Sequence, residues 1–159
     1  MGKFSVILLT IGIPGSGKTT WVNEYKKTHP LTYVISSDEI RKELYGSYKC
    51  DPDQSQRVHD VAREKVKAIL EDPNSLGGLG PEIIIDSTNT DVEEWLKFKK
   101  LGASVLLCKV FDRDPFSAFK ATEMRDDNAR HVPLDVIRSK HAELQLNKKF
   151  LPLIFNLVL

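Results

Sequence analysis

The sequence predicts an α/β protein of three layers, with a parallel central sheet flanked by helices, on two observations. An apolar, β-branched run ends in a glycine-rich turn, and strand-like runs then alternate with helical ones. Strands that alternate with helices pair in parallel through crossover connections, which covers both faces of the sheet.

Phe4 to Ile11 (FSVILLTI) is the first strand, apolar throughout as a strand buried on both faces must be. After GIPGSGK, the segment TTWVNEYKK reads as a helix ending near His29 and Pro30, because a residue before proline avoids the α region. Thr32 to Ser36 is a second strand. Ser36 followed by Glu39 makes a capping box that starts a helix at about Ser37, with Asp38 in its first turn. From Asp53 to Leu70, Val58, Val61, Ala62, Val66 and Ile69 recur at helical steps and define one buried face. DPNSLGGLGP is a glycine-rich connection, and Glu82 to Asp86 is the third strand, ending in the polar turn STNT. Trp95, Phe98 and Leu101 form the inner face of the next helix, with Gly102 suited to a left-handed C-cap. Val105 to Phe111 is the fourth strand. A helix follows from Pro115 to about Met124, then RDDNARH, then a helix opened by Pro133 at its first turn. The last stretch, residues 150–159 (FLPLIFNLVL), is too apolar for an exposed tail; it docks on the body as a strand or helix, or makes a contact with another subunit in a homo-oligomer.

The chain has 159 residues, enough for one domain with a real core and too few for two. Lys and Arg total 23 against 22 Asp and Glu, so any contact with nucleic acid must be local rather than a coat of positive charge. The amino-terminal stretch lacks the pattern of a cleaved leader, and no run approaches the ~20 apolar residues that span a bilayer, which predicts a cytoplasmic location and no membrane partner. Cys50 and Cys108 fit neither a zinc knuckle nor a disulfide framework; Cys108, in VLLCKVF, reads as a small core residue. His29, His59, His131 and His141 have no metal-ligand spacing.

Gly12 to Thr19 reads GIPGSGKT and satisfies GxxxxGKT between a strand and a helix, the context that makes it a phosphate-binding loop. Glycines at 15 and 17 let the backbone curl so that N–H groups face inward, and the following helix adds its positive end. A nucleoside triphosphate, ATP or another, fits there. The candidate nucleotide-binding residues are Gly15, Ser16, Gly17, Lys18, Thr19 and Thr20; Lys18 reaches the β- and γ-phosphates, and the Thr19 hydroxyl is one ligand of a Mg²⁺ that otherwise keeps waters.

Such a loop does not separate a kinase from a switch. Asp86 closes an apolar strand where a carboxylate can hold Mg²⁺ through water, or else caps the STNT turn. Ser87 follows it, not the glutamate many ATPases use to activate water, which favours transfer over hydrolysis. Asp38 lies just past the second strand, where ligands gather in open α/β sheets, and can orient a hydroxyl and take its proton; Arg41, one turn on, can bind an acceptor phosphate. The plainer alternative makes Asp38 a helix-start residue and Arg41 its solvated partner. Val132 either touches an acceptor base or staples the following helix to the core.

LTIGIPGSGKTTW, YVISSDEIRKELY, IIIDSTNT, KVFDRDPFSAF and HVPLDVIRS occur in this order from about Lys3 to Lys140, and together they resemble the kinase domain of phage polynucleotide 5′-hydroxyl kinases. The resemblance implies a P-loop kinase fold with a small lid at about 115–132, and transfer of the ATP γ-phosphate to a 5′-hydroxyl end of DNA or RNA. It implies Asp38 as general base, Arg41 and Thr88 on the acceptor phosphate, and a lid arginine over the transferring group, with Arg125 the first match and Arg130 the second. The family places Asp directly before TN, whereas this chain has Ser87 there, preceded by Asp86. No DxDGT-like motif of a 3′-phosphatase is present, so kinase activity alone is expected, in the host cytoplasm if the gene is phage-borne. Two rival readings stand beside it: a P-loop kinase of a nucleoside, sugar or hydroxymethyl pyrimidine, and a regulatory module that binds NTP and catalyses little. Lys18→Ala is expected to abolish phosphoryl transfer while circular dichroism reports an intact fold; retained activity overturns the loop assignment.

Overall fold

In the computed structural model, which describes residues 3–75 and 79–159, β1 (Val6–Ile11) is buried from Ile7 onward. A strand with no polar face must be covered on both sides, so β1 takes the centre of a five-stranded sheet in the order β2-β3-β1-β4-β5. Every pairing is parallel. The elements run β1, α1 (Lys18–Thr28), β2 (Tyr33–Ser36), α2 (Ser37–Tyr45), α3 (Pro52–Glu71), β3 (Glu82–Asp86), α4 (Val92–Lys99), β4 (Val105–Val110), α5 (Pro115–Glu123), α6 (Leu134–Asn147), α7 (Leu151–Ile154) and β5 (Leu157–Val158), with 3₁₀ turns at Asn128–Arg130 and Lys148–Phe150. Part of the glycine-rich connection, residues 76–78, lies outside the described residues.

Strand alternation divides the core. Ile7, Leu9, Ile11, Ile83, Ile85, Leu106 and Cys108 face α3, α4, α6 and α7 through Val58, Ala62, Val66, Trp95, Phe98, Leu144, Leu151 and Ile154. Leu8 and Ile84 face the other way, onto Val22, Trp21 and Tyr25 of α1. A third cluster, Ile13, Ala118 and Ile137, joins the phosphate loop to α5 and α6, and Val132 packs into it, the position of a staple. The result is the three-layer arrangement expected, a parallel sheet with helices on both faces.

Several local details differ from the sequence reading. Ser36 Oγ accepts from Glu39 N at 3.3 Å, but Glu39 does not reach back to complete the box; its carboxylate accepts from the Tyr48 hydroxyl at 3.1 Å. Pro133 is the N-cap of α6 rather than a first-turn residue. α4 ends at Lys99, so Leu101 joins the core from the turn before Gly102, whose φ of 79° is left-handed. The carboxyl-terminal apolar segment supplies both a helix and a strand. Leu151, Ile154 and Phe155 are buried, Phe155 meets Trp95 edge-on at 5.6 Å, and Leu157 pairs with Leu107. Asn156 locks this edge by accepting from Leu106 N at 2.8 Å.

The turn after β3 is held from inside. Asn89 adopts a φ of 50° and its Nδ2 donates to the Thr10 carbonyl at 2.8 Å and to the Ile85 and Ser87 carbonyls at 3.3 Å. Thr10 Oγ1 accepts from Ser87 N at 3.2 Å, and Trp95 Nε1 donates to Asn89 O at 2.6 Å. Asparagine tolerates the left-handed region and brings its own donors, which few residues combine. Replacing Asn89 with Ala removes the side-chain donor to the Thr10 carbonyl, while the Ile85 and Ser87 carbonyls keep Thr10 Oγ1 at 3.1 and 3.0 Å, a loss of about 2 kcal/mol. Urea unfolding checks it; a loss below about 1 kcal/mol shows that Thr10 alone holds the turn.

Candidate active site

Parallel register decides which residues meet. Ser36 pairs with Asp86 across β2 and β3, and β1 runs beside β3. The carboxyl ends of three strands therefore open on one edge, where β1 delivers the phosphate loop, β2 delivers Asp38 and β3 delivers Asp86.

The loop needs its glycines for two different reasons. Gly15 has φ 81°, and a Cβ there would lie 2.1 Å from the Ala118 carbonyl oxygen, so the backbone of α5 rests on it. Gly17 has φ 96° and caps α1, while a Cβ there would meet nothing within 4 Å. Conformation alone fixes Gly17, and its surroundings stay open to a ligand. Gly12 N donates to Thr88 O at 3.0 Å, tying the loop to the turn after β3. Arg113 donates from Nη1 to Gly15 O at 2.7 Å, a brace that sequence reasoning missed.

Lys18 is 8% exposed and donates to Ile13 O at 2.8 Å and Ser16 Oγ at 3.4 Å. Burial lowers its pKa to about 8, with Asp86 opposing and Arg125 assisting, and Asp38 also acts on it. Thr19 Oγ1 donates to Asp86 Oδ2 at 2.9 Å, so Asp86 faces the loop and the turn is left to Asn89. Burial raises the Asp86 pKa, against Thr19 and Lys18, which lower it.

Asp38 bridges two guanidiniums. Oδ1 accepts from Arg41 Nη1 at 2.9 Å and Oδ2 from Arg130 Nη2 at 3.3 Å. Its side chain is still 35% exposed, which leaves room for a hydroxyl. Arg41 is buried, and Nε of both Arg41 and Arg130 are buried donors without an acceptor among the described residues. Arg125 donates from Nη1 to Arg130 O at 3.0 Å; burial and then Arg130 lower its pKa, while Asp38 and Asp86 act the other way. Lys18, Asp38, Asp86, Arg125 and Arg130 thus form one electrostatic cluster. Thr88 is half-buried and enters through its carbonyl, and Thr20 is exposed on the first turn of α1.

The donor set fits a magnesium nucleotide. A threonine hydroxyl beside one carboxylate suits a hard ion that retains waters, and the turned loop with the first amides of α1 suits phosphates. No group of three or more His, Cys, Asp or Glu able to hold a metal occurs among the described residues.

Arg113 carried one signal in the sequence, a charge just past the fourth strand, where site residues gather. Tyr48 carried none. Its ring lies 5.1 Å from the Arg130 guanidinium, a contact between segments distant in the chain.

Between pH 8 and 10.5 an unfolded chain binds a proton at Lys18 that the folded chain does not, so stability rises with pH across that window and the full penalty applies below it. Lys18→Met should therefore stabilise the fold at pH 7 by an amount on the order of 2 kcal/mol, and the gain should fade as pH rises through the window. Urea midpoints at both ends measure this; a gain unchanged at high pH assigns it to packing instead.

A family model described as an AAA domain matches residues 7–146. A chain in the structure of the Pnkp1/Rnl/Hen1 RNA repair complex superposes with a TM-score of 0.74 at 21% identity, covering 94% of this chain and 47% of that one. A gluconokinase from Sinorhizobium meliloti 1021 superposes with a TM-score of 0.57 at 14% identity, covering 89% and 76%. The protein translocase subunit SecA of Bacteroides thetaiotaomicron is 26% identical over 119 residues, 64% of this chain and 11% of that protein. The chain thus spans about a tenth of this curated relative and under half of the RNA repair chain. The sheet order, the phosphate loop and the extent of the family match lead to one assignment: the chain belongs to the AAA domain family and has the P-loop kinase fold.

Proposed function

We propose that the chain is an ATP- and Mg²⁺-dependent kinase of 5′-hydroxyl ends of DNA or RNA. The observation that carries this reading is the placement of Asp38, held by Arg41 and Arg130 and part-exposed, within the charge cluster of the phosphate loop. A carboxylate in that position serves a hydroxyl acceptor. A water-activating glutamate is absent from the position after Asp86, where Ser87 stands instead.

In this reading the loop amides and Lys18 hold the phosphates, while Thr19 and Asp86 hold Mg²⁺, which neutralises charge on the phosphate oxygens when bound. Asp38 orients the 5′-hydroxyl and takes its proton as the oxygen bonds to the γ-phosphorus and the bond to the ADP oxygen breaks. Arg41, with its unpaired buried Nε, binds the acceptor's neighbouring phosphate, with Thr88 nearby on the adjoining turn. Arg125 covers the transferring group, being the lid arginine that acts on Lys18. The likeness to a chain of an RNA repair complex supports the acceptor class. The near balance of 23 basic and 22 acidic residues favours a second reading, phosphorylation of a small hydroxyl compound.

Incubation with γ-labelled ATP, Mg²⁺, a 5′-OH oligonucleotide and a panel of nucleosides and sugars decides between them. Label is expected on the oligonucleotide, and Asp38→Asn should reduce it by roughly 10²- to 10⁴-fold. Label on a small molecule alone supports the second reading, and no label on any acceptor reduces the protein to a nucleotide-binding module.

A further inference from the structure

The loop between α2 and α3 presents Tyr48 to the segment that carries Arg130. The Arg130 guanidinium lies 5.1 Å from the ring centroid, and the same guanidinium donates to Asp38 Oδ2 at 3.3 Å. The phenol in turn donates to Glu39 Oε1 at 3.1 Å. Contacts that leave Asp38 through Arg130 and Tyr48 therefore return to Glu39, the next residue on the same turn of α2. Arginine on a flexible stem samples many rotamers, and a ring on one side with a carboxylate on the other leaves it few.

The remaining contacts bear on the same point. Lys42 Nζ lies 5.3 Å from the Tyr48 centroid, so two cations share one ring. The Arg130 backbone carbonyl accepts from Arg125, and His131 Nε2 is 2.8 Å from the Arg125 carbonyl. The backbone of Arg130 thus carries Arg125, which acts electrostatically on Lys18, while its guanidinium carries the contact to Asp38. A loop tyrosine on the acceptor side is connected in this way to the phosphate side.

We propose that Tyr48 is a positioning residue that holds Arg130 against Asp38 and so couples the placement of the segment carrying Arg130 to the orientation of the carboxylate that receives the acceptor's proton. The proposal rests on the reading of Asp38 as that proton acceptor. Tyr48 touches no reacting atom in this scheme. Its effect passes through Arg130.

A double-mutant cycle with hydrogen exchange tests it, since Tyr48 lies outside the core and its replacement leaves the fold intact. Tyr48→Phe keeps the ring and should stay within about twofold of wild type. Tyr48→Leu should lower kcat on a 5′-OH oligonucleotide roughly three- to tenfold with KM for ATP unchanged. In an Arg130→Ala background the same change should have no further effect. Amides of residues 125–132 should exchange faster in Tyr48→Leu and not in Tyr48→Phe. An equal loss in both backgrounds overturns the proposal, because the ring then acts without Arg130; so does unchanged exchange in Tyr48→Leu, or a Tyr48→Phe variant as impaired as Tyr48→Leu. If wild-type protein leaves the oligonucleotide unlabelled, the 5′-hydroxyl reading fails, and the exchange comparison still decides whether Tyr48 holds the lid.

Discussion

Parallel register between β2 and β3, with Ser36 opposite Asp86, is the constraint on which every distance in the site depends. It places a helix start, a strand end and the phosphate loop on one edge of the sheet. Antiparallel pairing would send Asp38 to the opposite edge from Asp86. The register is in turn enforced by burial, because a slip of one residue would turn Ile83 and Ile85 away from α3 and α4 and toward α1. Core packing thus sets the geometry of a polar site that contains almost none of the core's atoms.

The site gathers Lys18, Arg41, Arg125 and Arg130 about Asp38 and Asp86, four cations to two anions. The chain as a whole is nearly neutral, at a formal charge of +1. Positive potential is therefore concentrated where the low dielectric of a partly buried cleft strengthens it. A polyphosphate balances such an excess, whereas a neutral ligand leaves it uncompensated.

Local chemistry made part of this legible in sequence. The loop glycines and the β-branched first strand encode their conformations within a few residues, so the strand, loop and helix were readable together. Asp86 was ambiguous between a turn cap and a site ligand; in the structure Asn89 holds the turn with its own amide and the Asp86 carboxylate accepts from Thr19. Arg125 read as the first match for the lid arginine and Arg130 as the second; in the structure Arg125 donates to the Arg130 carbonyl and the Arg130 guanidinium donates to Asp38. Arg113 and Tyr48 escaped because their partners, Gly15 and Arg130, are distant in the chain and no spacing rule connects them. The apolar end of the chain signalled burial without naming its edge, which depends on Asn156 finding Leu106.

Several groups in the cluster are held at a cost to the fold. Lys18 is desolvated enough to lose much of its affinity for a proton, and two arginine Nε donors are buried without acceptors among the described residues. Each such orphaned donor costs about 1–3 kcal/mol, a large share of the stability of a domain this size. An anionic ligand at this edge would supply acceptors and counter-charge, and part of its binding energy would come from relief of these penalties. Lys18, Arg41 and Arg130 are buried or half-buried charges whose partners, the Ile13 carbonyl, Ser16 Oγ and the Asp38 carboxylate, satisfy them only in part. A core built for stability alone would have replaced them with apolar side chains of similar volume.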